Sequence, residues 1–574
     1  MRVQNFGPVV ALLFLLSACD MPGKCKVGKT GSEASNCPVP HTFCYGGEKP
    51  KEGAKGICVY GELSAGKPVA KITTWKLVLP NQPEVAPLVW DKKDEGVANN
   101  ANAGWVGMAE AKVEVEVVGS GQDEALKVWA SQKVNAECEP PAERNLKGEL
   151  WTCSFKRGWA SAPSETKTIE VRAQAGKADA RVRTYRVLCS HDDGLTEDTV
   201  MQPLAMSGEQ LLFGTSAGGT TITNSSLYVF DTATCTLVDS LRIGTLQGPM
   251  VVLGDTGQVA VATGNNGLWG RDEHWLSLVD MSEKPARFDY DKVCAPEAVV
   301  FDRGLSLLSL SNASTGAPWR LVAPANNPST QQAHLLAYTP DAELCVFSEP
   351  ISGSFLIPVS QNANGDVLGI YGVSPLFFRG WRFNGKWTDS ADSELKERTL
   401  YIEDVSSLAV ADNGYVVGFP SSADFVAIDN QGRVYSVAAS ADSYFLQGVL
   451  EKHHKRSTLF EGAPVGSPIL GEPLPGGEAE VYVVTTTGRV LAYGVELGEP
   501  LWTYDLGIRK VAPMAQPVLY GDTLWVVGTR GEIRGIRVGS HGLSRTAQWP
   551  KAFRDNCNTS SRLSTLATLP SCFQ

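Results

Sequence analysis

The clearest local pattern in the chain is an alternation of apolar and polar residues, which is the repeat of a β-strand with one buried face. Lys112–Val117 alternates throughout, with apolar residues on one side and charged residues on the other. Ile169–Gln174 alternates as well, and a turn at Gly176-Lys177 leads into a returning strand at Ala180–Arg183. The pattern predicts a β-hairpin here, and 57 Gly and 33 Pro fit a turn-rich, all-β chain.

Residues 67–188 contain these alternating segments and predict a β-sandwich. About 120 residues with short strands suit the architecture of an immunoglobulin-like domain. Cys138 and Cys153 flank one loop and are expected to form a disulfide, with Trp129 and Trp151 as core aromatics. The arrangement of two cysteines around a central tryptophan, seen in antibody domains, is missing. The resemblance is therefore to the architecture alone.

Residues 189–552 contain a longer repeat. Val481–Val490 recurs as Leu524–Ile533, with an earlier copy at Phe425–Val434, and each copy reads strand, glycine turn, strand. The central glycines Gly488 and Gly531 lie 43 positions apart. A period of roughly 40–50 residues with paired hairpins is typical of β-propeller blades. The region predicts a propeller with seven or eight blades.

Composition excludes some classes of function. The chain has 574 residues, of which 43% are hydrophobic and 20% charged, so it is globular rather than disordered. Its net charge of -11 disfavours nucleic-acid binding, which needs clustered Lys and Arg. The basic run Lys452–Arg456 is interpreted as a solvated loop.

The N-terminus predicts export. Arg2 precedes an apolar stretch, Val9–Leu16, that is too short to span a bilayer. Leu16-Ser17-Ala18-Cys19 resembles the lipobox of bacterial lipoproteins. The resemblance implies that residues 1–18 are a signal peptide and that Cys19 carries the lipid, with fatty acyl chains such as palmitate. The expected location is the cell envelope, anchored by lipid to the outer membrane. Asp20 is the residue that favours inner-membrane retention in enteric-type bacteria.

Cysteine usage agrees with export. The chain has 13 Cys, and removal of Cys19 leaves 12, enough for six disulfides outside the cytoplasm. A small Cys-rich module, residues 19–66, has too few apolar residues for a core of its own, so two disulfides are expected there. Three pairings are possible among its four cysteines. These are Cys25, Cys37, Cys44 and Cys58.

Within the repeat region, the sequence separations between successive cysteines are close to the length of one blade. We expect each to pair with the cysteine that enters the same blade, and a further disulfide to clip a C-terminal tail over residues 553–574. The alternative is that some of these cysteines are buried free thiols. The expected pairs are Cys189–Cys235, Cys294–Cys345 and Cys557–Cys572.

One stretch of the repeat region resembles a known family. Ala492–Trp502 is similar to the A-x-D-x-x-T-G-x-x-x-W motif of quinoprotein-like (PQQ-like) propellers, with Ala492, Gly498 and Trp502 matching. Gly494 and Leu497 depart from its Asp and Thr. Trp549–Asp555 resembles the W-P-x-F-R-x-D segment of such propellers, with one residue inserted. The resemblance implies a structural role, in which the motif tryptophan stacks between neighbouring blades.

Candidate catalytic chemistry is weak. The adjacent Cys pair of quinone-dependent dehydrogenases is absent, so no cofactor is expected. Gly214–Gly218 matches G-x-S-x-G, but a turn and a strand follow where a nucleophile elbow needs a helix. The seven His lack the H-E-x-x-H pattern, and no cysteine or histidine spacing indicates a zinc site. Asp192–Asp198 is acidic but does not fit a calcium loop, so it is interpreted as a solvated linker. We predict no catalytic residue and no metal.

Three functions remain open on the sequence. The favoured one is an envelope binding or scaffold protein, whose propeller loops hold an unidentified protein or glycan partner. The second is an enzyme acting on a polymer in the central funnel, and the third is a purely structural surface protein. Carboxylates and histidines converging on the propeller axis would favour the enzyme. An apolar or aromatic patch on one face would favour a partner.

Overall fold

The chain is an all-β protein made of short N-terminal sheets, two sheets packed face to face, and a β-propeller. Regular structure in the described residues is strand, apart from two short 3-10 helices at Ser393–Leu395 and Pro570–Cys572. In the same residues, no helix has the length and hydropathy to cross a membrane. The computed structural model describes residues 24–26, 43–45, 55–59, 62–64, 67–79, 84–85, 106, 110–118, 126–130, 134–141, 149–160, 168–175, 179–192, 198–217, 226–243, 245–253, 257–264, 275–281, 291–294, 306–309, 319–339, 344–372, 375–400, 407–412, 414–418, 425–451, 453–561 and 570–573.

The N-terminal module forms two small antiparallel sheets, in the orders β1-β3-β2 and β4-β5. Cys44 lies directly opposite Cys58 in the register of β2 and β3. The lipobox with Cys19, and Cys37, lie outside the described residues. The side chains of the three other module cysteines also lie outside them, so their pairing stays a prediction. The strands are β1 (Lys24–Lys26), β2 (Phe43–Tyr45), β3 (Lys55–Val59), β4 (Glu62–Ser64) and β5 (Lys67–Val69).

Two antiparallel sheets follow, in the orders β10-β11-β8-β6-β7 and β13-β12-β9. Val113, Val115 and Val117 are fully buried between the sheets, as their alternation indicates. Trp151 also lies in this core, whereas Trp129 is only half-buried, so its assignment to the core was wrong. The strands are β6 (Lys71–Val78), β7 (Glu84–Val85), β8 (Ala111–Val118), β9 (Leu126–Ala130), β10 (Glu137–Glu139), β11 (Glu149–Phe155), β12 (Thr168–Ala175) and β13 (Asp179–Arg186).

Strand β13 buries two of its three arginines. Arg181 and Arg183 point inward and are nearly inaccessible, while Val182 between them is half-buried. The Arg181 guanidinium donates to the carbonyl of Ile72 at 2.9 Å. Arg183 donates to the carbonyl of Trp75, and its guanidinium lies 4.7 Å from the centre of that ring. These two buried charges therefore bind backbone and aromatic groups of strand β6 in the facing sheet.

In the described residues the propeller consists of successive antiparallel sheets, numbered here as blades 1 to 8 in chain order. In blades 1, 2 and 4 the innermost strand is divided into two short pieces that both pair with the next long strand, and the last strand of blade 3 pairs with the third. Blade 1 has β15 (Asp198–Val200), β16 (Ala205–Ser207), β17 (Gln210–Ala217), β18 (Ser226–Asp231) and β19 (Thr236–Arg242); blade 2 has β20 (Thr245–Leu246), β21 (Val251–Val252), β22 (Gln258–Gly264), β23 (Trp275–Asp280) and β24 (Asp291–Cys294); blade 3 has β25 (Ser306–Ser309), β26 (Trp319–Asn327), β27 (Gln332–Thr339), β28 (Leu344–Phe347) and β29 (Ile351–Ser352); blade 4 has β30 (Ser354–Phe355), β31 (Ser360–Gln361), β32 (Val367–Gly372), β33 (Leu376–Phe383), β34 (Trp387–Asp389) and β35 (Arg398–Leu400).

Blades 5 to 8 are antiparallel sheets as well, and two strands of blade 5 are described. The basic run is not a loop over its described residues, because His453–Arg456 forms the outer strand of blade 6, where Lys455 pairs with Glu496. Blade 5 has β36 (Ser407–Ala411) and β37 (Gly414–Gly418); blade 6 has β38 (Ala427–Ile428), β39 (Val434–Ser440), β40 (Ser443–Leu450) and β41 (His453–Arg456); blade 7 has β42 (Ile469–Pro473), β43 (Glu480–Val484), β44 (Arg489–Gly494) and β45 (Trp502–Asp505), with β49 (Ser540–Leu543) beside β42; blade 8 has β46 (Val518–Tyr520), β47 (Thr523–Val527), β48 (Ile533–Arg537) and β14 (Leu188–His191).

The ring is closed by a strand from its beginning. Strand β14, which directly follows the paired sheets, is the fourth strand of blade 8, with Leu188 opposite Ile536. A disulfide joins Cys189 of this strand to Cys235 of blade 1, with 5.9 Å between the Cα atoms. The Phe230 and Trp525 rings, 5.8 Å apart, pack blade 1 against blade 8. Both ends of the propeller are thus held in one sheet, a closure that removes exposed strand edges.

Two further disulfides have both partners described. Cys138 and Cys153 lie opposite each other on β10 and β11, and Cys557 is joined to Cys572. These are pairs that the spacing of the cysteines favours. Cys345 is also disulfide-bonded. The side chain of Cys294, its expected partner, is not among those described, so this pairing stays a prediction.

Candidate functional site

The axis of the propeller is occupied by the chain's own C-terminal segment, residues 549–561, called here the axial segment. It exchanges hydrogen bonds with six different blades, in each case at a strand on the inner side of the sheet. Because these are the innermost strands of a propeller, a segment that touches so many of them must lie on the axis. The hydrogen bonds run from Met206 to Asn556, Val252 to Cys557, Gln361 to Ser560, Ile428 to Trp549, Leu470 to Pro550 and Asn556 to Leu519, at 2.8, 3.0, 2.8, 2.7, 2.9 and 2.7 Å respectively.

The sequence predicts a disulfide-clipped tail over residues 553–574, and the Cys557–Cys572 disulfide is present. The segment is not a surface tail, however, because residues 551–561 are all buried and belong to the propeller core. Four non-glycine residues of the segment have positive φ angles, a conformation that few side chains favour. They are Phe553, Arg554, Asn558 and Ser560. Apart from the Trp-Pro motif, nothing in the local sequence indicates this path.

Three charged side chains of the axial segment are buried, those of Lys551, Arg554 and Asp555, and Arg554 lies 3.6 Å from the Asp555 carboxylate. The Lys551 amine donates to the carbonyl of Asp555 at 3.0 Å and to Asn558 Oδ1 at 3.4 Å. Asp555 Oδ1 accepts from the backbone N–H groups of Cys557 and Thr559, both at 3.1 Å. Burial lowers the pKa of the Lys551 amine to about 7 and raises the pKa of the Asp555 carboxyl. Both side chains are therefore bonded inside the segment and stabilise its fold.

Asp555 also lies near two sulfur atoms. Its carboxylate and the sulfurs of Cys557 and Cys572 are within 4.8 Å of one another. Because the two cysteines form a disulfide, they cannot bind a metal as thiolates. This cluster stabilises the axial segment and is not a metal centre.

The motif residues lie on blade 7. Ala492 is fully buried and opposite Trp502 in register. Gly498 has φ +90° and binds the preceding blade, since its N–H donates to Arg456 and its carbonyl accepts from Thr458. Gly498 therefore joins blade 7 to blade 6. The Trp502 ring lies 6.1 Å from that of Tyr482 in its own blade, and its stacking between neighbouring blades stays a prediction.

Trp502 has a second neighbour outside the propeller. A Cβ added at Gly158, on the loop after β11, would lie 3.2 Å from the Trp502 Cβ. Beside it, Arg157 forms an ion pair with the fully buried carboxylate of Glu480 at 2.8 Å. Tyr482 donates to the same carboxylate at 2.8 Å and lies 2.7 Å from the Ser540 hydroxyl. This polar network, which the sequence did not predict, joins the paired sheets to blade 7.

Two other sequence candidates have structural roles. Gly214 and Ser216 lie within strand β17, with Ser216 opposite Thr199, so the G-x-S-x-G match is not a nucleophile elbow. Asp192 forms an ion pair with the nearly buried Arg534 of blade 8. Asp192 is thus held by a partner rather than lying in a free linker, and Asp198 begins strand β15. Residues 193–197 lie outside the described residues.

The loops between second and third strands, and the crossovers between blades, share one face, called here the upper face. At blades 7, 8 and 1 these loops are joined by backbone hydrogen bonds. Val511 donates to Thr486 at 2.9 Å, Thr529 to Lys510 at 2.8 Å, and Val200 to Thr529 at 3.0 Å. The upper face is therefore a connected surface at these blades.

The solved structures that are similar to this chain include the following three. "Structure of Dos1 propeller" has a TM-score of 0.30 and 12% identity over 58% of this chain and 76% of that chain. "Crystal structure of BBS1N in complex with ARL6DN, soaked with lead" has a TM-score of 0.34 and 10% identity over 62% and 99%. Hydrazine synthase of Kuenenia stuttgartiensis has a TM-score of 0.34 and 12% identity over 61% and 98%. No family model and no curated protein matches the sequence. The chain's own strand pairing, with successive sheets around one axial segment, defines its propeller fold.

Proposed function

We propose that this protein is a lipid-anchored binding or scaffold protein of the cell envelope, whose propeller holds a protein or glycan partner. The observation that carries the proposal is the filled axis. Because residues 549–561 bind the innermost strands, the loop faces and outer strands are the propeller surfaces left for recognition. Loops on a rigid scaffold are a common location for binding.

The alternative, an enzyme acting on a polymer in the funnel, needs an open path and reactive groups that face it. Lys551 and Asp555 are charged groups at the described axis, and both are fully buried. Their hydrogen bonds are made within the axial segment. The geometry therefore favours binding over catalysis in the funnel.

The proposed location rests on the sequence. Leu16-Ser17-Ala18-Cys19 supports lipid attachment at Cys19 after removal of residues 1–18. The even number of remaining cysteines supports an oxidising compartment outside the cytoplasm. We place the anchor in the outer membrane.

The proposal is tested by crosslinking in intact cells, followed by purification of the full-length protein and mass spectrometry. We expect a recurrent protein partner, or an attached glycan, that is also recovered when the partner carries the tag. A second arm incubates the purified protein with isolated envelope polymers. Release of polymer fragments, or the absence of any reproducible partner, would contradict the scaffold function.

A further inference from the structure

The ring of blades is closed at a joint between two strands that lie far apart in the chain. Strand β14 pairs with β48 of blade 8 over its four residues. In the other direction β14 is continuous with blade 1 through the chain, and the Cys189–Cys235 disulfide adds a second covalent link to that blade. Opening of the ring at this joint therefore separates β48 from β14 and blade 1 together.

Arg534 of β48 ties the two sides of the joint. Its guanidinium forms an ion pair with Asp192 and donates to the carbonyl of His191 at 3.2 Å. Its Nε donates to the carbonyl of Leu506, in the segment that leaves blade 7, at 3.0 Å. Because the side chain is only 7% exposed, these bonds are largely shielded from water. Arg534 is therefore a first lock that holds β14 on blade 8.

The paired sheets are attached to β14 with little freedom to bend. One residue, Val187, separates β13 from β14, and it is fully buried. The carbonyl of the residue before it, Arg186, accepts a hydrogen bond from the Val106 N–H at 2.6 Å. A connection of one buried residue with a bonded neighbour is not a flexible linker, so the paired sheets and β14 move as one body.

The ion pair between Arg157 and Glu480 crosses the same joint by another route. Arg157 belongs to the paired sheets, and Glu480 begins strand β43 of blade 7, which the chain joins to blade 8. If β14 leaves β48, the paired sheets leave with it, while blade 7 stays with blade 8. The ion pair must then break, although neither of its residues lies in β14 or β48.

We propose that the paired sheets are a clasp that holds the propeller ring closed, with Arg157 as a second lock on the joint between β14 and β48. Two contacts that break in the same opening event both contribute to its free energy, so the loss of either loosens the joint. The clasp makes the paired sheets part of ring closure rather than a passive spacer. It goes beyond the proposed binding function and does not depend on which partner the propeller holds.

The test is native-state hydrogen exchange of the full-length protein, followed by mass spectrometry. Exchange that requires local opening scales with the population of the opened joint, and the reporter peptides contain residues 188–191 and 533–537. R157M should speed exchange in both peptides by at least about tenfold, as R534M should by direct loss of the first lock. A peptide of blade 4 that contains residues 367–372 should exchange as it does in the wild type, because opening at the joint leaves that sheet intact.

Matched controls remove other ion pairs. R172M removes a half-exposed pair on β12 of the paired sheets, and R382M removes the partner of the buried Asp366 in blade 4. Both variants should leave exchange at the joint unchanged. The double variant R157M/E480Q removes the contact without leaving an unpaired buried carboxylate, and it should still speed exchange at the joint.

Three results would overturn the clasp. Unchanged exchange at the joint in R157M would show that Arg157 does not lock it. Protection restored in R157M/E480Q would assign the effect to a buried charge within blade 7. Equal acceleration in all blades would indicate global unfolding. Faster exchange at the two joint peptides in R157M and R157M/E480Q, with no change there in R172M and R382M, supports the clasp.

Discussion

The ion pair between Arg157 and Glu480 joins the paired sheets to blade 7, and its removal should reveal how firmly they are joined. The change is R157M, which keeps an unbranched side chain and removes the charge. Glu480 is 0% exposed and Arg157 21% exposed, so most of the pair is out of water. Without Arg157, a buried carboxylate keeps its hydrogen bond from Tyr482 but loses its counter-charge.

The expected magnitudes differ for the two partners. Loss of one partner of a buried ion pair costs about 3–5 kcal/mol, because the other charge stays buried. E480Q should cost less, about 1–2 kcal/mol, because the partly exposed Arg157 can hydrate and the amide still accepts from Tyr482. The control R172M removes a half-exposed ion pair with Glu170 at 2.6 Å and should cost less than about 1 kcal/mol.

The loss in R157M should depend on pH. Burial raises the pKa of Glu480, while the charge of Arg157 acts in the opposite direction. The folded state therefore keeps the Glu480 proton to higher pH than the unfolded chain, and stability falls as pH rises through the folded pKa. Removal of Arg157 raises that pKa further, so the loss in R157M should be larger at about pH 8 than at about pH 5.

The measurement is thermal unfolding followed by tryptophan fluorescence, since Trp502 lies at this contact. The wild type, R157M, E480Q and R172M are compared at both pH values. The double variant R157M/E480Q should be more stable than R157M, because it removes the unpaired buried charge. A larger loss for E480Q than for R157M, or a loss in R157M that does not change with pH, would refute the reasoning.

Four further predictions follow from other parts of the chain. C19A should release the protein from the membrane fraction, and sedimentation with membranes in high salt would exclude the lipid anchor. Pyrroloquinoline quinone with calcium should neither shift the melting temperature nor give dye-linked alcohol oxidation, and saturable binding with turnover would contradict this. Non-reducing peptide mapping should join Cys294 to Cys345, and free thiol at Cys294 would exclude the pair. G466A should lower the free energy of unfolding by more than about 2 kcal/mol, because Gly466 has φ +60° and the added Cβ would lie 1.8 Å from Gln516 Oε1. The control G476A, at φ +77° with no atom within 4 Å of the added Cβ, should lower it less in the same urea titration.

Local order in this protein follows from its sequence. The alternation at 112–117 and 169–174 gives strands β8 and β12, because side chains of a strand point alternately to its two faces. The repeated strand–glycine–strand pattern gives equivalent hairpins in blades 7 and 8, between the second and third strands, and their spacing is one blade. The copy at 425–434 also forms a hairpin, but it joins the first and second strands of blade 6 and is out of register with the other two. These signals are carried by residues close together in the chain.

The tertiary structure decides which side chains contact each other across the fold. The local pattern of apolar and polar residues does not predict these contacts. On β13 it buries Arg181 and Arg183 rather than Val182, because carbonyls and a Trp ring of β6 are available to bind them. It places Arg157 against Glu480, more than three hundred positions away, and it draws the C-terminal segment into the axis. The axial segment can be polar and buried only because the innermost strands of many blades satisfy its hydrogen bonds at once. These partners are far from the segment in sequence, so no local stretch of the chain predicts that the axis is filled. Binding at the loop faces is therefore inferred from the tertiary structure.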